Sequence, residues 1–380
     1  MRIAIVTETF LPSTDGVVTR LTKAVSYFRR QGHDVLIIAP ELGVTEFEGA
    51  RVAGIKPITF PFYQSRPWAP RSRAVKTLLQ DFKPDIVHAA NPILLAASGV
   101  KYASKLGYPL VASFHTNLPK YLEYYKLPLA KPLLWRYLKG LHNQAELNLV
   151  TSRAMFDELT AQSINHLRLL PRGVDIDGLS PKYRNETTRF ELTAGHPERT
   201  LLIYVGRLAH EKDLHKLLPL MKKRADLALA IIGDGPLKAE LEELFKNTNT
   251  IFTGLKHGET LAKAYASADA FVFPSVTETL GLVILEGMAS GLPVLAVRSK
   301  PSLEQITDQV NGLLFEDHDL GSLEAALARL EEPNFREQLR VNARQEAEHY
   351  SWEHASAAML NYYQEAIWLH NQIQDCKEVL

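Results

Sequence analysis

The chain has 380 residues, 46% hydrophobic and 23% charged, which excludes an intrinsically disordered chain and predicts two domains, each large enough to bury a core. Its one cysteine, Cys376, permits no intramolecular disulfide, so a disulfide-stapled secreted module and a cysteine-rich zinc module are both excluded. The formal net charge is zero, yet residues 1–180 carry 22 basic and 14 acidic residues while residues 181–380 carry 21 and 29, so the two halves are expected to have different partners.

The first half predicts short buried strands that alternate with amphipathic helices. It opens on a strand followed by a polar segment, which is not the pattern of a signal peptide, and no apolar run reaches the ~18 residues of a membrane span. We therefore expect a cytoplasmic protein. The predicted strands are Ile3–Val6, Val35–Ala39, Ile86–His88, Leu110–Ser113, Leu147–Val150 and Leu167–Leu170, and the predicted helices are Gly16–Arg30, Leu94–Leu106 and Ser152–Gln162.

The second half repeats the alternation after a polar, aperiodic stretch, Tyr183–Arg199, which we interpret as a linker. From Leu323 onward the pattern is helical. The predicted strands are Leu201–Val205, Leu229–Ile232, Ile251–Thr253, Ala270–Phe273 and Pro293–Val297, and the predicted helices are Leu214–Arg224, Pro236–Phe245, Glu259–Ala266 and Gly281–Ala289.

Two such runs predict an α/β protein with two Rossmann-like, doubly wound domains that face a central cleft. We place the first domain at residues 1–185, joined by a C-terminal helix at about 355–380, and the second at residues 186–354. Ligands of parallel sheets bind beyond the carboxyl ends of the strands, so candidate site residues are sought in the loops that follow strands.

Two stretches of the first half combine basic and aromatic residues. Residues 61–76 hold Arg66, Arg71, Arg73 and Lys76 with no acid, and residues 119–140 hold five basic residues and one acid. Two interpretations remain open: a solvated helix face with its aromatic residues in the core, or a surface that binds anionic lipid. Nucleic acid is not expected, because the pI is near 7 and no nucleic-acid-binding motif is present.

The loop after the first strand ends at Gly16, which opens the following helix. A glycine there permits close approach of a ligand to the backbone, and a helix N-terminus favours an anion. Most loop glycines serve only the turn, so this signal alone is weak. The Gly-x-Gly-x-x-Gly fingerprint does not occur in this loop, which argues against a nicotinamide-dependent dehydrogenase.

The loop after the first strand of the second half carries Gly206, Arg207 and Lys212. A guanidinium and an ammonium in one loop suit phosphate oxygens. The alternative is ordinary surface charge paired with Glu211 and Asp213.

The third informative loop, Pro274–Gly281, leads into an apolar helix that contains Glu286. A carboxylate in an apolar helix is costly without a partner, and a sugar diol can supply two donors to it. Gly281 at the helix start leaves backbone N–H groups for a diphosphate. The alternative for Glu286 is a buried structural ion pair. A fourth candidate, His115, follows a strand of the first half, although a lone histidine is more often structural.

Together these segments resemble the retaining glycosyltransferases of family 4, which have the GT-B fold of two Rossmann-like domains. Asp15 stands where many members have a glycine. The matching segments are Thr14-Asp15-Gly16-Val17-Val18, His115, Gly173-Val174-Asp175, Gly206-Arg207 with Lys212, Gly233-Asp234-Gly235-Pro236, and Glu278 with Glu286 eight residues further on.

Within that family the chain looks like the sulfoquinovosyltransferases, which transfer sulfoquinovose from its UDP derivative to diacylglycerol. Related mannosyl- and glucosyltransferases share several of these segments. The segments are Met1-Arg2-Ile3-Ala4, Thr7-Glu8-Thr9-Phe10-Leu11-Pro12, Asp15-Gly16-Val17-Val18-Thr19-Arg20-Leu21, Phe114-His115-Thr116-Asn117-Leu118-Pro119-Lys120-Tyr121 and Arg172-Gly173-Val174-Asp175.

The resemblance implies a role for each matched residue. Arg207 and Lys212 neutralise the leaving diphosphate, so alanine at either position is expected to lower turnover far more than stability. Glu286 holds the ribose hydroxyls, and His115 lies beside the donor sugar. The other implied donor contacts are Gly16, Gly206, Asp234, Lys256, Glu278, Leu280 and Gly281, and the implied catalytic set is His115, Arg207, Lys212 and Glu278.

For a sulfoquinovosyl donor, His115 and Lys120 are expected to bind the sulfonate, and that contact should raise the pKa of His115 and keep it protonated. Lys120 has an equally open alternative role at a membrane surface. The resemblance also implies that the acceptor attacks the donor sugar from its front face, with retention of the anomeric configuration. No tightly bound cofactor and no protein-bound metal are expected, although a divalent cation could stimulate the reaction. The expected partners are the UDP-sugar, diacylglycerol and an anionic membrane to which the protein binds peripherally.

Two other functions stay open at this point. One is a hexosyltransferase that uses UDP-glucose or GDP-mannose and a lipid acceptor. The other is a catalytically silent sugar-nucleotide-binding protein, in which Arg207, Lys212 or Glu286 would be expected to be lost; all three are present.

Overall fold

A computed structural model of the chain describes residues 1–13, 15–60, 63–124, 128–276 and 281–378. The chain forms two compact units, one made of residues 1–173 with 352–380 and the other of residues 174–351. Among the described residues no helix is both long and apolar enough to cross a membrane.

The first unit contains an eight-stranded sheet with the order β10-β9-β8-β7-β1-β2-β4-β3, parallel except for the β3–β4 pair, and a separate β5–β6 hairpin. Its strands are β1 Arg2–Thr7, β2 Asp34–Pro40, β3 Glu46–Phe47, β4 Ala50–Ile55, β5 Ile58–Phe60, β6 Tyr63–Trp68, β7 Ile86–Ala90, β8 Leu110–Phe114, β9 Leu147–Val150 and β10 Leu167–Leu169. Its helices are α1 Gly16–Arg30, α2 Ala74–Phe82, α3 Leu95–Leu106, α4 Leu118–Tyr124, α5 Lys131–His142, α6 Arg153–Ala161 and, from the far end of the chain, α15 Trp352–Glu378.

The central strands of this sheet are apolar throughout because helices cover both of their faces. On one face α1 and α15 pack together, and Phe28, Met359 and Tyr363 belong to the same buried cluster as Ile3 and Ile5 of β1. On the other face α2 and α3 cover the sheet. The C-terminal helix is therefore part of the core of the first unit.

The second unit contains a six-stranded, fully parallel sheet with the order β13-β12-β11-β14-β15-β16. Its strands are β11 Thr200–Val205, β12 Leu227–Ile232, β13 Thr250–Gly254, β14 Ala270–Phe273, β15 Val294–Val297 and β16 Gly312–Phe315. Its helices are α7 Glu186–Leu192, α8 Leu218–Lys223, α9 Lys238–Leu244, α10 Gly258–Ser267, α11 Leu282–Ala289, α12 Lys300–Leu303, α13 Leu320–Leu330 and α14 Pro333–Glu348.

The boundary expected at residue 185 is wrong, since the units divide between Gly173 and Val174. Residues 174–185 belong to the second unit because they pack on it. Val174 lies in its core, and the Arg344 guanidinium donates to the carbonyl oxygens of Ile176 and Leu179, both at 3.0 Å.

The expected linker at Tyr183–Arg199 is also wrong, because this stretch contains α7. Its Arg189 side chain is buried and donates to the Asp269 carboxylate at 2.9 Å and to the carbonyl oxygens of Pro197 and Ser267. These bonds hold the segment against the sheet.

Candidate active site

Most of the predicted nucleotide-sugar contacts lie at the carboxyl edge of the six-stranded sheet. Gly206 and Arg207 follow β11, Asp234 follows β12, Lys256 follows β13, and Gly281 precedes α11 after β14. Since β13, β12, β11 and β14 are consecutive neighbours in the sheet, the fold brings these four loops to one edge.

The loops after β11 and β12 are packed backbone against backbone. The Gly206 N–H donates to the Ile232 carbonyl at 3.0 Å, and the Leu208 N–H donates to the Asp234 carbonyl at 2.9 Å. A Cβ atom on Gly233 would lie 1.9 Å from the Gly206 carbonyl oxygen. Glycine is therefore required at residue 233 for this loop–loop contact.

Arg207 forms an ion pair with Glu211, which lies four residues later in the short helical turn His210–Lys212 and is fully buried. The Ser275 hydroxyl donates to the Glu211 carbonyl oxygen at 2.9 Å, so the loop after β14 supports the same turn. One third of the Arg207 side chain is exposed. Glu211 thus orients a partly exposed guanidinium, which is a suitable arrangement for binding an anion.

Lys212 lies in the same turn, and its side chain is partly buried. The surface-charge alternative proposed a pairing of these cations with Glu211 and Asp213. Arg207 does pair with Glu211, as this alternative proposed. Asp213 forms an ion pair with Lys216 at 3.2 Å, and Lys216 also contacts Asp317 at 2.7 Å.

Glu286 lies in α11 and accepts a hydrogen bond from the Tyr265 hydroxyl of α10, at 3.0 Å. Burial raises the pKa of the Glu286 carboxyl, while the Tyr265 hydrogen bond acts in the opposite direction. The alternative, a structural ion pair, is absent among the described residues, where Tyr265 is the one side chain that binds this carboxylate. The other oxygen of the Glu286 carboxylate has no hydrogen-bond donor among the described residues, as the predicted contact with ribose hydroxyls requires.

Gly281 is the N-cap residue of α11 and has a left-handed backbone conformation, with φ of 70°. Among the described residues, no side chain of the cap position accepts a hydrogen bond from this helix N-terminus. Within the described residues, the N–H groups of Leu282 and Val283 have no acceptor. Free N–H groups at a helix N-terminus suit a diphosphate. Glu278 and Leu280 lie outside the described residues.

At the first unit's sheet, the loop after β1 leads into α1 at Gly16, which is exposed. The Asp15 carboxylate caps this helix, since its Oδ1 accepts from the N–H groups of Val17 and Val18 at 2.9 and 3.0 Å. The expectation that the N-terminus of α1 is left for a ligand anion is therefore wrong for those two amides, because Asp15 supplies the anion itself.

Glu8, in the same loop, caps α3. Its buried carboxylate accepts from four backbone N–H groups, those of Ile93, Leu94, Leu95 and Ala96, at 2.8 to 3.2 Å. Burial raises the pKa of Glu8, and the four bonds act in the opposite direction. Glu8 therefore fastens the loop after β1 to the helix after β7.

His115 follows β8 and is buried, and its Nε2 lies 2.8 Å from the Ser113 hydroxyl. Its backbone N–H donates to the Asn91 amide oxygen at 3.3 Å. Burial, followed by the positive charge of Arg20, lowers the pKa of His115 well below its usual value. These effects favour the neutral imidazole, whereas the expected sulfonate contact would favour a protonated ring.

Lys120 lies in α4, five residues after His115, and is partly buried. Its backbone N–H donates to the Asn117 side-chain oxygen at 3.1 Å, and the Asn117 amide donates to Glu158 at 3.0 Å. Gly16, His115 and Lys120 all follow the carboxyl ends of strands in the eight-stranded sheet, in which β8, β7 and β1 are adjacent.

Several residues of the two sites were missed by sequence reasoning. Each is a polar residue whose role can be recognised only after the structure shows which buried group it contacts. They are Glu8, His88, Asn91, Ser113, Glu211, Tyr265 and Tyr363. Over the described ranges, no group of three or more His, Cys, Asp or Glu side chains has a geometry that could hold a metal ion.

Family models match most of the chain. The model for Glycosyltransferase Family 4 matches residues 14–177, and the model for glycosyl transferases group 1 matches residues 186–347. A sulfoquinovosyl transferase of Arabidopsis thaliana is 38% identical over 364 residues, which cover 93% of this chain and 71% of the relative. The chain belongs to glycosyltransferase family 4.

Other relatives of this glycosyltransferase differ in the substrates that their names give. A GDP-mannose-dependent alpha-mannosyltransferase of Mycobacterium tuberculosis is 36% identical, with 83% of each chain covered. An alpha-monoglucosyldiacylglycerol synthase of Streptococcus pneumoniae is 29% identical, with 86% of this chain and 79% of the relative covered.

Solved structures of low sequence identity share the fold. A sucrose-phosphate synthase from Thermosynechococcus elongatus gives a TM-score of 0.77 at 19% identity, covering 96% of this chain and 98% of the other. HepE of Anabaena, in complex with UDP and glucose, gives a TM-score of 0.72 at 17% identity over all of both chains. The predicted family and the predicted α/β fold with two Rossmann-like domains are confirmed.

Proposed function

We propose that this glycosyltransferase transfers sulfoquinovose from UDP-sulfoquinovose to diacylglycerol, which produces sulfolipid. The observation that supports this assignment is the 38% identity to the Arabidopsis thaliana sulfoquinovosyl transferase across 93% of the chain. A lipid acceptor is also named for the monoglucosyldiacylglycerol synthase of Streptococcus pneumoniae.

In this proposal the carboxyl edge of the six-stranded sheet binds the nucleotide sugar. Arg207, oriented by buried Glu211, and Lys212 neutralise the diphosphate, together with the amides at the start of α11. The half-buried Glu286 carboxylate accepts from the ribose hydroxyls. The remaining proposed contacts are Gly206, Asp234 and Lys256, with Glu278, Leu280 and Gly281 around the sugar and diphosphate.

We propose that the reaction retains the anomeric configuration by front-face attack. Charge develops on the departing diphosphate, and the leaving group itself accepts the proton of the acceptor hydroxyl. Fixed cations and N–H groups stabilise that charge without reorganising, so the work of the protein is positioning and electrostatics. Gly16 and His115 are the proposed contacts from the first unit.

The main alternative is a hexosyltransferase that uses GDP-mannose or UDP-glucose. It is favoured by the 36% identity to the mannosyltransferase of Mycobacterium tuberculosis, which is close to the value for the sulfoquinovosyl transferase. A catalytically silent sugar-nucleotide-binding protein is disfavoured, because Arg207, Lys212 and Glu286 are all retained.

We further propose a cytoplasmic location and peripheral binding to anionic membrane through a surface of the first unit. Residues Leu129 and Leu133 are 95% and 71% exposed next to the exposed cations Arg136 and Lys139. The Arg71 guanidinium donates to the Tyr137 hydroxyl at 2.6 Å, so the two basic–aromatic stretches meet. Exposed leucines among cations are typical of a surface that inserts into an anionic lipid interface.

The test is a competition assay with the full chain and diacylglycerol vesicles. UDP-sulfoquinovose, UDP-glucose and GDP-mannose are supplied together, and the lipid products are identified by mass spectrometry. We expect sulfoquinovosyl diacylglycerol as the main product. Hexosyl lipid as the main product would reject the sulfolipid assignment.

The same assay examines Lys120 as a sulfonate contact. Lys120→Ala is expected to lower the preference for UDP-sulfoquinovose over UDP-glucose by about tenfold, the loss of one charge-assisted hydrogen bond. Lys131→Ala, in the following helix, is the matched control. An unchanged preference in Lys120→Ala would remove Lys120 from the donor site.

A further inference from the structure

Four buried side chains of the first unit form a continuous hydrogen-bonded chain. The Tyr363 hydroxyl of α15 lies 2.7 Å from His88 Nδ1, His88 Nε2 lies 2.7 Å from the Ser113 hydroxyl, and that hydroxyl lies 2.8 Å from His115 Nε2. Tyr363, His88 and Ser113 are fully buried, and His115 is 8% exposed.

We propose that Tyr363, His88 and Ser113 are positioning residues that hold His115 as its Nδ1–H tautomer, so that His115 contacts the donor sugar as a neutral hydrogen-bond donor. The tautomer of His115 follows from the chain of hydrogen bonds alone. The contact between His115 and the donor sugar rests on the proposed function, which places His115 beside the sugar.

The direction of the chain follows from the hydroxyl hydrogens. In the described part of the chain, the Tyr363 hydroxyl has no acceptor other than His88 Nδ1, and the Ser113 hydroxyl has no partner other than the two histidines. A buried hydroxyl hydrogen without an acceptor costs free energy. Tyr363 must therefore donate to His88 Nδ1, which places the His88 hydrogen on Nε2.

The remaining bonds are then determined. His88 Nε2–H donates to the Ser113 oxygen, and the Ser113 hydroxyl donates to His115 Nε2. A neutral His115 with an accepting Nε2 carries its hydrogen on Nδ1. In the opposite direction, with Tyr363 accepting, the tyrosine hydrogen is left without an acceptor at a fully buried position.

Burial favours the neutral form of both histidines, which this arrangement requires. Burial lowers the pKa of His88 to about 3, and it lowers the pKa of His115 well below its usual value with further contributions from Arg20, His88 and His142. A neutral histidine has one N–H, so fixing its tautomer decides whether it gives or accepts a hydrogen bond at the sugar.

Tyr363 is itself held firmly. Its ring packs 5.5 Å from Phe28 and 5.6 Å from His88, centroid to centroid, inside the cluster that joins α1, α15 and the sheet. The chain of bonds therefore connects a residue near the end of the sequence to a loop at the carboxyl edge of the sheet.

The first measurement needs no substrate. Full-length protein with ¹⁵N-labelled histidine is examined by long-range ¹H–¹⁵N NMR, which distinguishes the two tautomers, and His88→Gln and His115→Gln variants assign the signals. We expect His88 as the Nε2–H tautomer and His115 as the Nδ1–H tautomer. An Nε2–H tautomer for His115 would overturn the proposal, whatever the substrate proves to be.

The second measurement compares Tyr363→Phe with Tyr362→Phe, a neighbour whose hydroxyl donates at the surface to the Leu169 carbonyl, at 3.0 Å. Tyr363→Phe should mix the tautomers of both histidines and lower kcat by about tenfold with a smaller change in KM, since a wrong tautomer impairs a catalytic imidazole. Tyr362→Phe should change neither. If Tyr363→Phe keeps both the tautomers and kcat of the parent, the positioning role is rejected.

The two proposals fail in different ways. Correct tautomers in a protein that does not use UDP-sulfoquinovose would reject the proposed donor and leave the hydrogen-bonded chain intact. Wrong tautomers in a protein that makes sulfolipid would reject the chain and leave the function. Melting temperatures of both phenylalanine variants identify any loss of fold.

Discussion

Glu286 carries a stability cost that its proposed contact with ribose would explain. A carboxyl whose pKa is raised by burial binds its proton more tightly in the folded state than in the unfolded state. The free energy of unfolding therefore decreases as pH rises above the unfolded pKa of about 4.3 and through the raised folded value. Once it is ionised, the half-buried carboxylate destabilises the second unit.

We predict that Glu286→Gln melts at a higher temperature than the parent at pH 7, and that the difference shrinks as the pH falls toward 4. The variant should also raise KM for the nucleotide sugar by about tenfold, because an amide forms weaker hydrogen bonds with hydroxyls than a carboxylate does. Thermal melting and initial rates measure the two effects. Glu243→Gln, an exposed carboxylate of α9, is the control. If Glu286→Gln melts at a lower temperature than the parent at pH 7 and keeps the parent's KM, both the destabilisation by Glu286 and its contact with ribose are refuted.

The sequence predicted that loss of Arg207 lowers turnover far more than stability. The buried partner Glu211 revises that expectation, and Arg207 should contribute to stability as well as to turnover. We predict that Arg207→Met lowers the free energy of unfolding by about 3 kcal/mol, as expected when one partner of a buried ion pair is removed. It should also lower turnover by about 10²-fold, which is the effect expected when a preorganised group that stabilises charge in the transition state is removed.

Two further variants separate these effects of Arg207. The double variant Arg207→Met with Glu211→Gln should recover stability but not turnover, and Lys212→Met should lose turnover with little loss of stability. Urea unfolding and steady-state rates provide the measurements. Normal turnover in Arg207→Met would contradict the proposed role at the diphosphate.

At the scale of elements, the loops after β11 and β12 depend on a contact that only glycine permits. We predict that Gly233→Ala lowers the free energy of unfolding by more than 2 kcal/mol, because an added Cβ lies 1.9 Å from the Gly206 carbonyl oxygen and forces the Arg207 loop to move. Gly254→Ala is matched to it, since Gly254 also has a positive φ, 71°, but has open space around its Cβ position.

The cost of Gly254→Ala should be about 1 kcal/mol, from backbone strain alone. Urea unfolding compares the two variants, and KM for the nucleotide sugar should increase only in Gly233→Ala. Equal costs for the two substitutions would show that the loop–loop contact is unimportant.

Elements with strong local signals were predicted well from the sequence. The helix Gly16–Arg30 and the strands Leu147–Val150 and Ala270–Phe273 have the bounds that apolar periodicity and glycine stops predict. Strand β4 was missed because Ala50–Ile55 contains alanine and glycine, which are poor strand formers, and it becomes a strand by pairing with β2. Helix α7 was missed because its Arg189 looks like a surface residue in the sequence.

For the candidate sites too, the sequence predicted positions near strand ends but not the contacts between distant residues. Strand-end positions predicted that Arg207 lies in a ligand-binding loop and that Glu286 lies in the helix that follows such a loop. The sequence contains no sign that Glu211 is buried, because a glutamate between charged neighbours reads as exposed. His88 and Tyr363 are 275 residues apart, and only the completed fold brings them within hydrogen-bonding distance.

At the scale of the whole molecule, the charge is divided between the two units. The first unit carries 23 basic and 16 acidic residues, and the second carries 20 and 27. We predict that the protein co-sediments with anionic vesicles, and that added salt weakens the binding, since each cation near the surface contributes about 1 kcal/mol.

The paired substitution of Leu129 and Leu133 with serine should lower vesicle binding by at least about tenfold, since burial of one leucine contributes roughly 1.5–3 kcal/mol. Leu303→Ser, which changes a leucine of the second unit that is 51% exposed, is the control. Arg71→Ala with Arg73→Ala should weaken binding at low salt. Equal binding of the parent to neutral and anionic vesicles would contradict an electrostatic attachment.

The long helix α15 has a consequence for the order in which the chain folds as the ribosome makes it. Met359, Tyr363 and Ala366 belong to the core of the first unit, yet they are translated after the whole of the second unit. Residues 1–173 therefore leave the ribosome with an uncovered apolar face, whereas residues 174–351 are complete as soon as they emerge. The unit that is translated first is the last to reach its final fold.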